Sequence, residues 1–163
     1  MKTLLILRHA KSSWDFSDLD DIDRPLNKRG YRDAPKVGHL LMEKGLIPEY
    51  ILCSPAKRAR ETAEAVAKAC QYPGEIIIDG NLYPGNPAAY MDAIQILPED
   101  ADPIMIVSHN PGLEEFITFL TGESVRFPTA AIAQLSVSID SWTEIYLIPP
   151  VDLTNLWLVK ELE

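Results

Sequence analysis

The chain has 163 residues, with 24 acidic groups against 15 Lys and Arg and a formal net charge of −9. That length suits one domain spanning residues 1–163, large enough to bury a core without disulfides or a structural metal. Apolar residues at 47% and charged residues at 24% exclude a disordered chain, and a pI near 4.8 excludes a nucleic-acid binder, which needs a dominant basic surface.

The charge is unevenly spread. Residues 1–70 hold 13 basic and 10 acidic groups, a net of +3, whereas residues 71–163 hold 2 and 14, a net of −12. Cations gathered in one half of an acidic chain point to an anionic ligand. The apolar run before Arg8 is too short for a signal-peptide core. No stretch reaches the ~18 apolar residues of a membrane span. Cys53 and Cys70 have neither CxxC nor paired-His spacing, so no disulfide scaffold or zinc site is expected. A cytoplasmic protein without membrane association follows.

In chain order, Thr3–Leu7 is a continuous apolar run that stops at Arg8-His9. Residues 10–26 are polar and acid-rich, without period, and read as a loop. A helix is expected from Asn27 to Lys44, with Tyr31, Ala34, Val37, Leu40 and Leu41 inward and Pro35 arguing against a straight axis. Tyr50–Cys53 is a second apolar run. Ser54-Pro55 reads as an N-cap with Pro at the first helical position; Ala59, Thr62, Ala63, Val66 and Ala69 form the inner face, and Pro73-Gly74 ends that helix. Asn86-Pro87 opens a further helix through Leu97, stopped by Pro98. Ile104–Val107 is a third apolar run, ending in Ser108-His109, and Asn110-Pro111 starts a helix closed by Gly122. Residues 132–139 alternate as a strand and 156–159 suggest another. Unbroken apolar runs suit strands covered on both faces. Strands alternating with helices give an α/β fold: a three-layer α/β/α sandwich around one mainly parallel, mixed sheet.

Ligands of open α/β sheets bind beyond the carboxyl ends of the strands. Three polar clusters lie there: Arg8-His9, Ser54 through Arg58, and Ser108-His109. Two of them enter helix N-termini, which favour anions. Singly, each residue has an ordinary explanation, as a strand end, a solvated charge or a helix cap. His39 lacks a partner and is read as structural. Jointly, two His and two Arg at three strand ends indicate phosphate chemistry.

LRHAKS at 7–12, SPAKRARETA at 54–63 and VSHNPG at 107–112 resemble the histidine phosphatase, or phosphoglycerate-mutase-like, superfamily. RHAKSSW, DRPLNKRG at 23–30 and the short length are most similar to its small SixA-type phosphohistidine phosphatases. The resemblance covers residues 4–122 in the same order. It implies a phosphoglycerate-mutase-like fold and a metal-independent phosphatase that needs no cofactor. His9 would be the catalytic nucleophile, forming a phosphohistidine intermediate that water cleaves. Arg8, Arg58 and His109 would bind the phosphoryl oxygens and stabilise their charge.

The family's usual acids are missing. One branch places a Glu shortly after a Leu beyond the third strand, where this chain reads Asn81-Leu82-Tyr83-Pro84-Gly85. The other places an Asp directly after the second His, where this chain has Asn110. Asp15, Asp18, Asp20, Asp21 or Asp23 could reach the pocket from the loop. Imidazole leaves phosphorus more readily than an alkoxide, so the double absence favours phosphohistidine on a protein, such as a His-phosphotransfer domain. A small phosphate ester is the alternative substrate, and a non-catalytic phosphate- or phosphoprotein-binding module is the alternative of another class. A Cys-x5-Arg phosphatase is disfavoured because counting from Cys53 reaches Ala59, and a mutase would need a longer chain to cover its sugar. Lys11, Arg24, Lys28, Arg29, Lys57 and Arg60 are expected around the pocket mouth. Oligomeric state is not legible.

Overall fold

The structure, a computed structural model, describes residues 1–162. Its centre is a six-stranded mixed sheet in the order β3-β2-β4-β1-β5-β6. The strands are β1 (Lys2–Arg8), β2 (Tyr50–Cys53), β3 (Ile76–Ile78), β4 (Ile104–Ser108), β5 (Ile132–Val137) and β6 (Val151–Trp157). β1, β2, β3 and β4 pair in parallel, while β5 runs antiparallel to β1 and β6 antiparallel to β5.

Successive side chains of a strand point to opposite faces, and both faces of this sheet are covered. Leu4, Ile6, Leu52, Ile104 and Ile106 pack with α3 (Pro87–Gln95) and α4 (Gly112–Thr121), chiefly against Tyr90, Ile94, Phe116 and Ile117. Leu5, Leu7, Ile51, Cys53, Met105 and Val107 pack with α1 (Lys28–Glu43) and α2 (Lys57–Cys70) through Val37, Leu41, Ala63 and Val66. The mixed sheet with helices on both faces matches the α/β expectation. Among the described residues no helix is long and apolar enough to cross a membrane.

Several boundaries differ from the sequence reading. α2 begins at Lys57 with Ala56 as its N-cap residue, not at Ser54-Pro55. The Ser54 hydroxyl is held by His109 and by the Ala56 amide, so it is not free to cap the helix further along. α1 continues through Pro35, with Asn27 accepting from the Gly30 amide at its start. Tyr31, expected inside, is half exposed and donates to Glu61. α3 ends at Gln95. β3 was not anticipated; its three isoleucines form a short edge strand. β6 starts five residues before the expected 156–159 segment, and its alternation with β5 is broken by a register shift at Gln134/Leu135.

α1 and α2 approach closely at Gly38. A Cβ there would stand 2.5 Å from both the Ala69 Cβ and the Val66 carbonyl oxygen. Backbone cannot yield as a flexible side chain can, so overpacking is costly. Gly38→Ala is expected to destabilise the fold by about 1–3 kcal/mol, measured as a lower urea midpoint at unchanged m-value.

Candidate active site

The parallel register sets the site. Arg8 lies opposite Ser108 across β1 and β4, and Cys53 opposite Val107 across β2 and β4. The three strands therefore end together at the middle of the sheet. The ladder continues one step beyond them: the His9 amide donates to Ser108 O at 3.1 Å and the Ser54 amide to Val107 O at 3.0 Å. His9 and His109 emerge side by side, with ring centroids 5.1 Å apart. Both are almost fully buried, at 6% and 5% exposure.

The orientation of His9 is fixed by backbone. Its Nδ1 lies 2.8 Å from the Ala10 carbonyl oxygen. A carbonyl only accepts, so Nδ1 carries the hydrogen and Nε2 carries the lone pair. Ala10 is held by its own amide donating to Thr62 Oγ1, and the Thr62 hydroxyl donates to the Arg58 carbonyl. One chain of hydrogen bonds thus joins the end of β1 to the first turns of α2.

His109 Nε2 is 2.7 Å from Ser54 Oγ, whereas its Nδ1 is buried without a partner among the described residues. Arg8 donates through Nη1 to the Phe127 carbonyl at 3.2 Å, and Asn110 Nδ2 donates to the same oxygen at 2.7 Å. Arg58 donates through Nη1 to the Asp21 carbonyl at 2.7 Å and through Nη2 to Asp21 Oδ2 at 3.0 Å. The Nε–H groups of both arginines are buried and unpartnered. Buried polar groups are nearly always satisfied. Two guanidinium donors and an imidazole nitrogen left open near paired imidazoles form an arrangement suited to the oxygens of a tetrahedral anion.

The electrostatics agree. Burial, with the nearby Arg58 and Arg8 charges adding to it, lowers both imidazoles from their ordinary value to about 3, so both are neutral near pH 7. Burial also lowers Arg8, against an opposing pull from Glu114. Asp21 is held down at about 2, first by the Tyr83 hydroxyl and then by the Arg58 charge. Tyr83 packs edge-on to His109 at 5.6 Å and donates to Asp21 Oδ2 at 2.6 Å.

All four residues singled out in the sequence, Arg8, His9, Arg58 and His109, meet here. Of the five loop aspartates, Asp21 reaches them. Ser54, Thr62, Tyr83 and the Phe127 carbonyl join them without having been foreseen in these roles. Ser54 and Thr62 had a signal, their fixed spacing from Arg58 in SPAKRARETA. The mouth residues scatter. Arg24 is buried beneath Trp14 at 3.5 Å and donates to Ser12 and Asp21, whereas Arg29 lines a groove with Arg126 and Lys160. Cys53 packs in the core with its thiol pushed up to about 12 by burial, unsuited to attack. His39 is exposed on α1.

Both imidazoles have depressed values in the folded chain, so between pH 6.5 and 3 the unfolded chain binds more protons. Their contribution to stability is complete above about pH 6.5 and is lost progressively as pH falls. The melting temperature should drop between pH 7 and 4.5. The drop should be smaller in a His9→Asn/His109→Asn double variant, compared by scanning calorimetry.

Comparison with known proteins agrees with this geometry. Residues 4–83 match the histidine phosphatase superfamily (branch 1). An uncharacterized chloroplastic protein of Arabidopsis thaliana is 35% identical over 158 residues, spanning 90% of this chain and 72% of that protein. The crystal structure of a candidate phosphohistidine phosphatase, SixA from Agrobacterium tumefaciens, superposes with a TM-score of 0.82 at 26% identity, covering 96% of this chain and 97% of that one. The protein histidine phosphatase SixA complexed with tungstate shares the fold at a TM-score of 0.80 and 23% identity, covering 99% of each chain. With its paired imidazoles at the ends of β1 and β4, this chain belongs to the histidine phosphatase superfamily, and is a phosphatase similar to the SixA type.

Proposed function

We propose that this phosphatase hydrolyses phosphohistidine on a protein, by way of a phosphoryl intermediate on His9 Nε2. The observation that carries the reading is the tethered His9 ring: Nδ1 bound to Ala10 O and an unprotonated Nε2, beside buried guanidinium hydrogens without partners. In the first step the Nε2 lone pair bonds to phosphorus as the bond to the leaving group breaks. His9 then becomes a cationic phosphoimidazole whose Nδ1–H stays on the Ala10 carbonyl. In the second step water attacks phosphorus from the vacated side and the Nε2–P bond breaks, returning the neutral ring.

Phosphoryl transfer asks mainly for placement and for neutralisation of charge on the equatorial oxygens. Arg8, Arg58 and His109 supply the donors. A SixA protein of the same fold is complexed with tungstate, a tetrahedral oxyanion, in keeping with an anionic ligand for this one.

Two features favour a P–N over a P–O substrate. First, among the described residues the pocket holds no protonated carboxylic acid. Pro84 and Asn110 occupy the positions where ester-cleaving relatives carry acids, and Asp21 is ionised down to about pH 2. An alkoxide would leave without a proton, whereas a ring nitrogen needs none delivered at the moment of cleavage. Second, the Asp21 carboxylate bonded to Arg58 is half exposed, and the proposed substrate histidine approaches from that side. A His-phosphotransfer domain is the partner this predicts.

Acid quench of the enzyme mixed with a ³²P-phosphohistidine protein should trap an acid-labile, base-stable phosphoenzyme. Label that persists in His9→Ala would exclude His9 as nucleophile. Arg58→Ala is expected to lower kcat about 10²–10³-fold with little change in KM, as for loss of one transition-state donor. Turnover of small phosphomonoesters faster than of phosphohistidine would overturn the substrate assignment.

A further inference from the structure

The Asp21 carboxylate stands one guanidinium away from the phosphoryl donors, and it has an open side. Its Oδ2 accepts from Arg58 Nη2 and from the Tyr83 hydroxyl, and its Oδ1 accepts from Arg24 Nε at 3.0 Å. A carboxylate offers about four acceptor sites, so one remains on Oδ1. The side chain is 48% exposed, whereas those of Arg58 and Arg24 are 8% and 9% exposed. The two cations and Tyr83 therefore fix the carboxylate from the protein side and leave its remaining edge open to solvent.

Such an anion is unnecessary for holding phosphate and would repel it. It suits a cation arriving with the phosphate. A phosphorylated imidazole is one. If its far nitrogen is unprotonated, breaking the P–N bond expels an imidazolate. If that nitrogen carries a proton, the ring is cationic and leaves as neutral imidazole. Resting on the phosphohistidine reading above, we propose that Asp21 is a catalytic residue whose carboxylate accepts a hydrogen bond from the far N–H of the substrate's phosphoimidazolium and holds that ring protonated until the P–N bond breaks.

The step balances without moving a proton. The His9 Nε2 lone pair forms the new bond to phosphorus, and the electron pair of the old P–N bond returns to the substrate ring, cancelling its positive charge. That ring departs neutral, its hydrogen still on the nitrogen facing Asp21. His9 takes up the positive charge, with its own far hydrogen on the Ala10 carbonyl. Donor and acceptor imidazoles are thus supported alike, each by an oxygen at the nitrogen remote from phosphorus. An opposite charge within reach raises the proton affinity of an imidazole, so the bound substrate should stay protonated at a pH where the free one does not. The charged and titratable groups facing Asp21 are Arg58 from α2, Arg24 from its own loop and Tyr83 beyond β3. Asp20 and Asp23 flank it in sequence, and its charge is felt at His109.

The test compares Asp21→Asn with wild type on a phosphohistidine peptide and on p-nitrophenyl phosphate, whose leaving group needs no proton. The Asn side chain keeps the size of Asp and one acceptor oxygen, enough for Tyr83 and Arg58 but not for Arg24 as well. Tungstate affinity, measured by calorimetry, reports whether the variant is folded with its phosphate donors in place. On the peptide, kcat/KM should fall at least ten-fold further than on the nitrophenyl ester. The alkaline limb of kcat on the peptide should move down by roughly one pH unit or more, with partial recovery in Asp21→Glu. Equal losses on both substrates with an unmoved limb, at retained tungstate affinity, would overturn the proposal and leave Asp21 a positioning residue for Arg58. A wild-type enzyme inert toward phosphohistidine would instead overturn the reading on which it rests.

Discussion

The flush register of β1, β4 and β2 is the constraint from which the rest follows. Leu4 through Leu7 and Ile104 through Val107 are apolar on both faces. A one-residue slip between two such strands would therefore meet little resistance from side-chain patterning. What holds the register lies past the strand ends. The His9 amide pairs with Ser108, the Ser54 amide with Val107, and the Ala130 amide with the carbonyls of Arg8 and His9. These bonds need specific loop conformations and form in one alignment. The same bonds place His9 and His109 side by side, so folding correctly and assembling the site are one event.

The site is stocked against the preferences of a stable interior. Two neutral imidazoles and the Arg58 guanidinium are largely withdrawn from water, with Arg8 and Asn110 half-buried beside them and several polar atoms left unpaired. Each such atom costs the desolvation of a lost hydrogen bond, about 1–3 kcal/mol. The surrounding layers, packed on both sheet faces by continuous aliphatic strands and small-residue helices such as α2, supply the surplus that makes this tolerable. Local destabilisation of this kind collects where a ligand completes the bonding.

The sequence made legible what depends on composition over short runs. The strands β1, β2 and β4 are unbroken apolar segments between polar stops, and Arg8, His9, Arg58 and His109 follow from their ends. Asn27 and Asn86 mark helix starts that the structure keeps, because an Asx cap is a local interaction. Non-local choices were hidden. Ser54 carries the signature of a cap and is claimed instead by His109, 55 residues away. β3 is a strand because an edge is open beside β2, which three isoleucines cannot announce on their own. Among five loop aspartates nothing local distinguishes Asp21; its part is set by where Arg58 and Tyr83 reach. The partners of Arg8 and His9 are carbonyls, which every residue has and no sequence reveals.

Those carbonyls change what mutagenesis can see. His9 is aligned by Ala10 O, Arg58 in part by Asp21 O, and Arg8 together with Asn110 by Phe127 O. Replacing the side chains at positions 10, 21 or 127 leaves all three oxygens in place. The alignment is written in the path of the chain rather than in the alphabet of its residues, so side-chain scanning at these positions would miss the share that the three oxygens carry. Only backbone chemistry, such as an amide-to-ester exchange that weakens a single carbonyl acceptor, would expose them.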